Sequence, residues 1–126
     1  MGQQQLLLII LGVIIVGIAI AVGLSLFSAQ SVQANHDAII NDLNNISANA
    51  YQYYIRPASM GGGANSYTGY TIPSRMQSNE NAGYSVTTAS GPTCVILGTS
   101  ASVTGATILA TVDATGHVAI TTSYAW

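Results

Sequence analysis

The side chains that could do acid–base, nucleophilic or metal chemistry are few and scattered. The histidines are His36 and His117, the single cysteine is Cys94, and none stands at a metal-ligand spacing from another ligand type. Asp37 and Asp42 are five residues apart, so on a helix they diverge and make no general acid–base pair. Nucleophile-elbow, phosphate-loop and zinc motifs are absent from the sequence. We expect neither an enzyme nor a cofactor or metal site.

Each of these residues has a structural interpretation. Cys94 lies in Thr-Cys-Val-Ile-Leu, which is typical of a buried, inert thiol. A lone cysteine cannot form an intrachain disulfide. We predict that His36 is a packed, hydrogen-bonded core residue and that His117, which follows a turn, is exposed.

Charge is scarce throughout the chain. Charged residues make up 5% of the 126 residues and the formal net charge is −2, against about 25% charged residues in ordinary soluble proteins. Without a basic patch, nucleic acid is not an expected partner. Low net charge promotes association, so the composition suits a protein that associates.

The longest uninterrupted pattern is apolar. Residues 6–27 read LLLIILGVIIVGIAIAVGLSLF and contain no charge. As a helix rising about 1.5 Å per residue, this segment matches the hydrocarbon core of a bilayer, which is about 30 Å thick. We expect either lipid or copies of the same segment to surround it.

The residues before this segment do not resemble a signal peptide. Met1-Gly2-Gln3-Gln4-Gln5 lacks the basic residues that begin a signal peptide or orient a membrane span. One interpretation is that a basic leader was removed and Met1 is the mature N-terminus. The other is that Met1 is the start codon and insertion is indifferent to charge.

A second helical pattern follows over residues 28–56. Its apolar positions recur at spacings of three and four, which predicts an amphipathic helix. Neither Gly nor Pro interrupts residues 24–56, so we expect one continuous helix that ends at Arg56-Pro57. The residues predicted to face the core are Val32, His36, Ile39, Leu43, Ile46, Ala50 and Tyr53.

The rest of the chain divides into a loop and a sheet. Residues 57–83 are rich in Gly, Ser and Asn, and we expect Tyr67 and Tyr70 to anchor this loop. Residues 84–126 predict about four antiparallel strands: Tyr84–Thr88, Thr93–Leu97, Ala106–Val112 and His117–Tyr124. Asp113-Ala114-Thr115-Gly116 predicts a hairpin between the last two. The sheet residues predicted to pack on the helix are Cys94, Ile96, Ile108, Val112, Val118 and Ile120. These elements predict an α+β fold.

The order of these elements resembles that of type IV pilins and related pseudopilins, as a pattern over residues 1–30 and as architecture over the whole chain. The resemblance implies a precursor whose basic leader is cut by a prepilin peptidase and whose new amino terminus is methylated. It also implies an inner-membrane stage, pilus assembly machinery, and self-association into an extracellular filament. Family members carry glutamate at the fifth mature position; if Met1 is the mature terminus, this chain has Gln5.

The resemblance assigns roles to two groups of residues. Processing and assembly fall on Met1, Gln3, Gln4 and Gln5, although a cut after Gly2 would make Gln3 first and Leu7 fifth. The glutamines offer amide hydrogen bonds between chains in place of an ion pair. Gly17 and Gly23 are either ordinary glycines of a membrane helix, or they bound a stretch that loses helical structure on assembly. The resemblance makes residues 1–27 a membrane span before assembly and the filament core after it, and the expected filament-core residues are Leu6, Leu7, Ile10, Ile14, Gly17, Ile18 and Gly23.

Three functions remain in view. The first is the structural subunit of a type IV pilus-like filament for adhesion, motility or surface attachment. The second is a pseudopilin of a type II secretion-like system, although the clustered acidic residues of some major pseudopilins are missing. The third is a single-span membrane protein with a small extracytoplasmic binding domain.

Overall fold

A computed structural model describes residues 2–123 and residue 126. One long helix, α1 (Gln3–Ile55), precedes four strands: β1 (Ala82–Ser90), β2 (Thr93–Ser100), β3 (Thr107–Val112) and β4 (Val118–Thr122). Short 3₁₀ turns lie at Ala58–Met60 and Ser74–Met76. The predicted α+β fold, with one long N-terminal helix and a four-stranded antiparallel sheet, is confirmed. The chain divides into two compact units, one ending at Gln33 and the other running from Ala34 to Trp126.

The end of α1 is closed by backbone groups of the following loop. The N–H groups of Gly63 and Asn65 donate to the carbonyls of Tyr53 and Tyr54, each at 2.8 Å, and so satisfy acceptors that a helix end leaves open. A Cβ atom at Gly62 would lie 2.3 Å from the carbonyl oxygen of Arg56. Only glycine fits there, and the same holds at Gly63, where a Cβ atom would lie 1.8 Å from the Ser66 carbonyl oxygen.

The core of the second unit lies between one face of α1 and one face of the sheet. Ile39, Leu43, Ile46 and Ala50 are buried along the helix, while the polar residues opposite them are exposed. Facing them are four fully buried sheet residues and two partly buried ones: Cys94, Ile96, Ile108 and Val112, and then Val118 and Ile120.

The structure differs from the predicted stripe at its first two positions. Val32 is half-buried and belongs to the first unit, apart from the core. The His36 side chain is 21% exposed, and its ring packs edge-to-face on Trp126 with 4.8 Å between centroids. Its Nδ1 atom has no hydrogen-bond partner within the described residues, because Asp37 Oδ1 lies 3.7 Å away. His36 therefore packs on an aromatic ring, and its predicted hydrogen bond is not made at Nδ1.

The sheet is a simple antiparallel meander in the order β1-β2-β3-β4. In the β3–β4 hairpin Val112 pairs with Val118, and Ala110 with Ile120, which puts their side chains on one face. Gly116 has φ +83°, a left-handed conformation that glycine adopts at no steric cost. Strand β1 begins two residues before the predicted start, and its pairing with β2 shifts register between Val86 and Thr88.

Strand β4 is shorter than the predicted His117–Tyr124, and Tyr124 lies outside the described residues. His117 is exposed before the strand begins.

Two buried tyrosines hold the loop of residues 57–81 onto the core. The Tyr67 hydroxyl donates to the Asp113 carbonyl at 2.7 Å, and the Tyr70 hydroxyl donates to Asn49 Oδ1 at 2.8 Å. Their rings contact Tyr54 and Tyr53, with centroids 4.7 and 5.4 Å apart. The loop is therefore part of the packed unit despite its polar composition.

Candidate functional site

The most distinctive surface is the apolar surface of α1, defined as residues 6–27. Its sixteen Leu, Ile, Val and Phe side chains are each between 52% and 72% exposed. They point in every direction around the helix, because the apolar sequence has no polar face. Within the described part of the chain, one helix is long and apolar enough to cross a membrane, and its most apolar window has no buried residue. Folding of this chain alone therefore leaves a large apolar surface uncovered.

The predicted filament-core residues all lie on this surface. Leu6, Leu7, Ile10, Ile14 and Ile18 are each more than half exposed. The helix is continuous from Gly17 to Gly23, so the single chain shows no loss of helical structure there. A Cβ atom at Gly12, Gly17 or Gly23 would meet nothing within 4 Å, so a neighbouring helix has room to approach the backbone.

A pattern of small residues that the sequence reasoning missed lies within this segment. Gly17 and Ala21 are four residues apart, as are Ala19 and Gly23. Residues four apart share one side of a helix, and such small pairs allow close helix–helix packing in membranes. The spacing can be read from the sequence when the alanines are counted together with the glycines as small residues.

The predicted processing residues lie at the start of α1. Gln3, Gln4 and Gln5 are exposed in the first turn of the helix, while Met1 lies outside the described residues. Their amide groups are therefore available to other molecules.

Two titratable groups of the second unit, Cys94 and Tyr67, are buried in its core. Burial raises the pKa of the Cys94 thiol to about 11, so the thiolate is scarce at neutral pH. Burial raises the pKa of Tyr67 to about 12, with Cys94 and Tyr54 adding to the effect. Among the described residues, no group of three or more His, Cys, Asp or Glu side chains could hold a metal ion.

A small polar cleft beside α1 is the main alternative site. Asp42 Oδ2 accepts hydrogen bonds from the Tyr84 hydroxyl at 2.6 Å and from Asn79 Nδ2 at 2.8 Å. Burial and the Asp42 contact raise the pKa of Tyr84. Because the Asp42 carboxylate is engaged in tying the loop and β1 to the helix, we read this cleft as structural.

Comparison with known protein families, characterised proteins and solved structures found no match to this chain.

Proposed function

We propose that this chain is the structural subunit of an extracellular, type IV pilus-like helical filament. The apolar surfaces of many copies pack together in the filament, and each copy is held in the inner membrane before assembly. The pilus assembly machinery and a prepilin peptidase are the implied partners, and adhesion, motility or surface attachment is the implied role.

The observation that carries the proposal is the all-round exposure of residues 6–27. Burying a side chain of this type away from water is worth about 1.5–3 kcal/mol, so water alone is not a stable surrounding. Lipid and a bundle of identical helices both meet the requirement.

Two features favour a stage in which helices surround one another. Lipid is as apolar as leucine, so helices leave it only where they pack closely or form polar contacts. The small pairs Gly17/Ala21 and Ala19/Gly23 permit close packing, and Gln3–Gln5 offer amide groups for contacts between chains. The segment therefore has both means of association.

The second unit supports crowding of copies through its low charge. Only six charged residues occur in the chain: Asp37, Asp42, Arg56, Arg75, Glu80 and Asp113. Like-charge repulsion between neighbouring copies is correspondingly weak.

The proposal is tested on cells that make the full chain. Filaments are sheared from the surface, imaged by electron microscopy and analysed by mass spectrometry, which also reports methylation of the N-terminal residue. We expect long filaments of regular helical symmetry built from this chain. Recovery of the chain only from detergent-extracted membranes, as single molecules in micelles, would refute the proposal and leave a single-span membrane protein. Short periplasmic assemblies would instead identify a pseudopilin.

A further inference from the structure

The two edges of the sheet differ in how their backbone groups are satisfied. At the β1 edge the Tyr84 N–H donates to the Gln77 carbonyl at 2.7 Å, and the Ala82 carbonyl accepts from the Asn79 N–H at 3.0 Å. The register shift between Val86 and Thr88 further interrupts that edge. A covering segment and a bulge are two ways in which proteins protect an edge from pairing with other chains.

Strand β4 forms the other edge, and within the described residues it has neither protection. None of its five residues is charged or is proline, and its pairing with β3 runs without a register shift. Four of the five are β-branched, the type most favourable in strands. An edge of this kind is a ready template for pairing with another strand.

The register identifies which groups are free. The Asp113 N–H donates to the His117 carbonyl, and the Ser123 N–H donates to the Thr107 carbonyl. Since hydrogen-bonded pairs alternate along an antiparallel ladder, the backbone N–H and C=O groups of residues 117, 119, 121 and 123 point towards β3. The N–H and C=O groups of Val118, Ile120 and Thr122 therefore point to the open edge, and no hydrogen bond within the described residues occupies them.

We propose that β4 is an interaction surface for a second copy of this chain, with the two β4 strands antiparallel and centred on Ile120. This register sets Val118 opposite Thr122 of the second copy and Ile120 opposite Ile120. All six free backbone groups of each copy are then paired, because all three pairs are of the hydrogen-bonded type. Because the register is self-complementary, the free backbone groups of one β4 strand pair with the same groups of an identical strand. A second copy of this chain therefore supplies every partner that the edge needs.

The symmetry of this contact gives it a role that helix packing does not have. Antiparallel self-pairing is isologous and relates the two copies by a two-fold axis. An isologous contact closes on itself after two copies, so it cannot propagate from subunit to subunit along a filament. Under the proposed function, on which this consequence rests, β4 joins a subunit of one filament to a subunit of another and so bundles filaments.

Cysteine cross-linking of the full chain tests the register. Ala119 and Thr121 are exposed, and the proposed pairing places Ala119 opposite Thr121 of the second copy, with Cα atoms about 4.5 Å apart. Copies of A119C and T121C are mixed and oxidised, both in detergent and in purified filaments. We expect at least about tenfold more cross-linked dimer than from either variant alone. In a single variant the cysteines are diagonal neighbours about 7–8 Å apart, beyond the reach of a disulfide.

The matched control is T111C mixed with T121C. Thr111 pairs with Ala119 in the same sheet but lies on the interior strand β3, so we expect only background cross-linking. Buried Cys94, whose pKa is raised to about 11, contributes little. Equal cross-linking in all mixtures, or none in A119C with T121C, would overturn the inference.

Hydrogen exchange supplies a second readout that needs no substitution. In separated chains we expect the amides of Val118, Ile120 and Thr122 to exchange faster than those of Ala119 and Thr121. In bundled filaments the first three should slow by about tenfold or more, and amides of these three that exchange as fast in bundles as in separated chains would contradict the pairing. The A119K substitution should abolish bundles but leave single filaments. The T111K substitution should leave both bundles and single filaments.

The outcomes separate the two proposals. Filaments without the register-specific cross-link would retain the filament function and refute β4 pairing. Cross-linked pairs in a chain that never forms filaments would refute the filament function and retain the β4 contact.

Discussion

The two units of the chain treat the same kinds of side chain in opposite ways. In residues 34–126 the large aliphatic side chains are mostly buried between helix and sheet, whereas in residues 6–27 they are all more than half exposed. One continuous helix contributes to both units, so helix formation alone does not explain the contrast. The second unit meets its need for burial within one chain, and the first can meet it only with other molecules.

The largest expected effect comes from making the same substitution in both units. Ile39 is fully buried, so I39A should lower the free energy of unfolding of the second unit by about 2–5 kcal/mol. I14A should leave that value unchanged, because Ile14 is 52% exposed. Denaturant unfolding of the full chain in detergent, followed by near-ultraviolet circular dichroism, measures both. Equal losses would mean that the units are not energetically separate.

A charge in the apolar surface should break the first unit selectively. I18R should oppose membrane insertion by about 2.5–3.5 kcal/mol and abolish filaments, with unfolding of the second unit unchanged. T99R, on an exposed sheet position, is the matched control and should insert and assemble normally. Normal filament yield from I18R would show that residues 6–27 do not form the packed core.

Alkaline pH should act on the second unit alone. Burial raises the pKa of Cys94 from 9.0 to about 11 and that of Tyr67 from 10.0 to about 12. Below pH 9 both groups hold their protons in the folded and unfolded states. Above pH 9 the unfolded chain releases protons first, so the stability of the fold should fall between about pH 9 and 12. Residues 2–33 contain no ionisable side chain, so their helicity in detergent should stay constant.

Removal of one buried hydroxyl should lower the free energy of unfolding by less than I39A does. Y67F deletes the hydrogen bond to the Asp113 carbonyl and should destabilise the second unit by about 1–3 kcal/mol. Y53F removes an exposed bond to the Thr68 carbonyl and should change stability by no more than about 0.5 kcal/mol. Thermal unfolding compares the two, and equal effects would argue that Tyr67 does not anchor the loop.

The smallest intrinsic effect concerns the small residues of the apolar surface. G17A should favour the helix by about 1 kcal/mol, since no atom of the chain lies within 4 Å of the added carbon. If Gly17 and Ala21 admit a neighbouring helix, G17A should nevertheless reduce filament yield, whereas G12A should not. Equal filament yields from the two variants would show that close packing at Gly17 does not contribute to assembly.

Elements governed by local periodicity could be predicted from the sequence. Within residues 39–50 the apolar positions recur every three or four residues, which predicts the helix. A turn that ends in Gly116 predicts the β3–β4 hairpin. Features that depend on distant contacts could not be predicted. β1 starts early because Ala82 and Gly83 pair with Ser100 and Thr99 of β2, a distant contact that no local pattern of residues 82–83 indicates. Val32 continues the apolar spacing but lies apart from the core, and the spacing alone does not show this.

The two proposed contact surfaces, the apolar surface of α1 and the β4 edge, divide in the same way. The apolar surface could be recognised from composition, because a segment of this length without charge has few possible surroundings. The free groups of β4 could not, since backbone pairing depends on strand order and register. The sequence shows only that Val118–Thr122 favours a strand.

The confinement of every charged residue to positions 37–113 has a consequence for how solution conditions act. Dissolved ions screen charges over about 8–10 Å at moderate ionic strength, but they have nothing to screen along residues 2–33. Added salt should therefore change only those interactions that residues 34–126 make, and dilution into pure water should leave helix-to-helix cohesion intact.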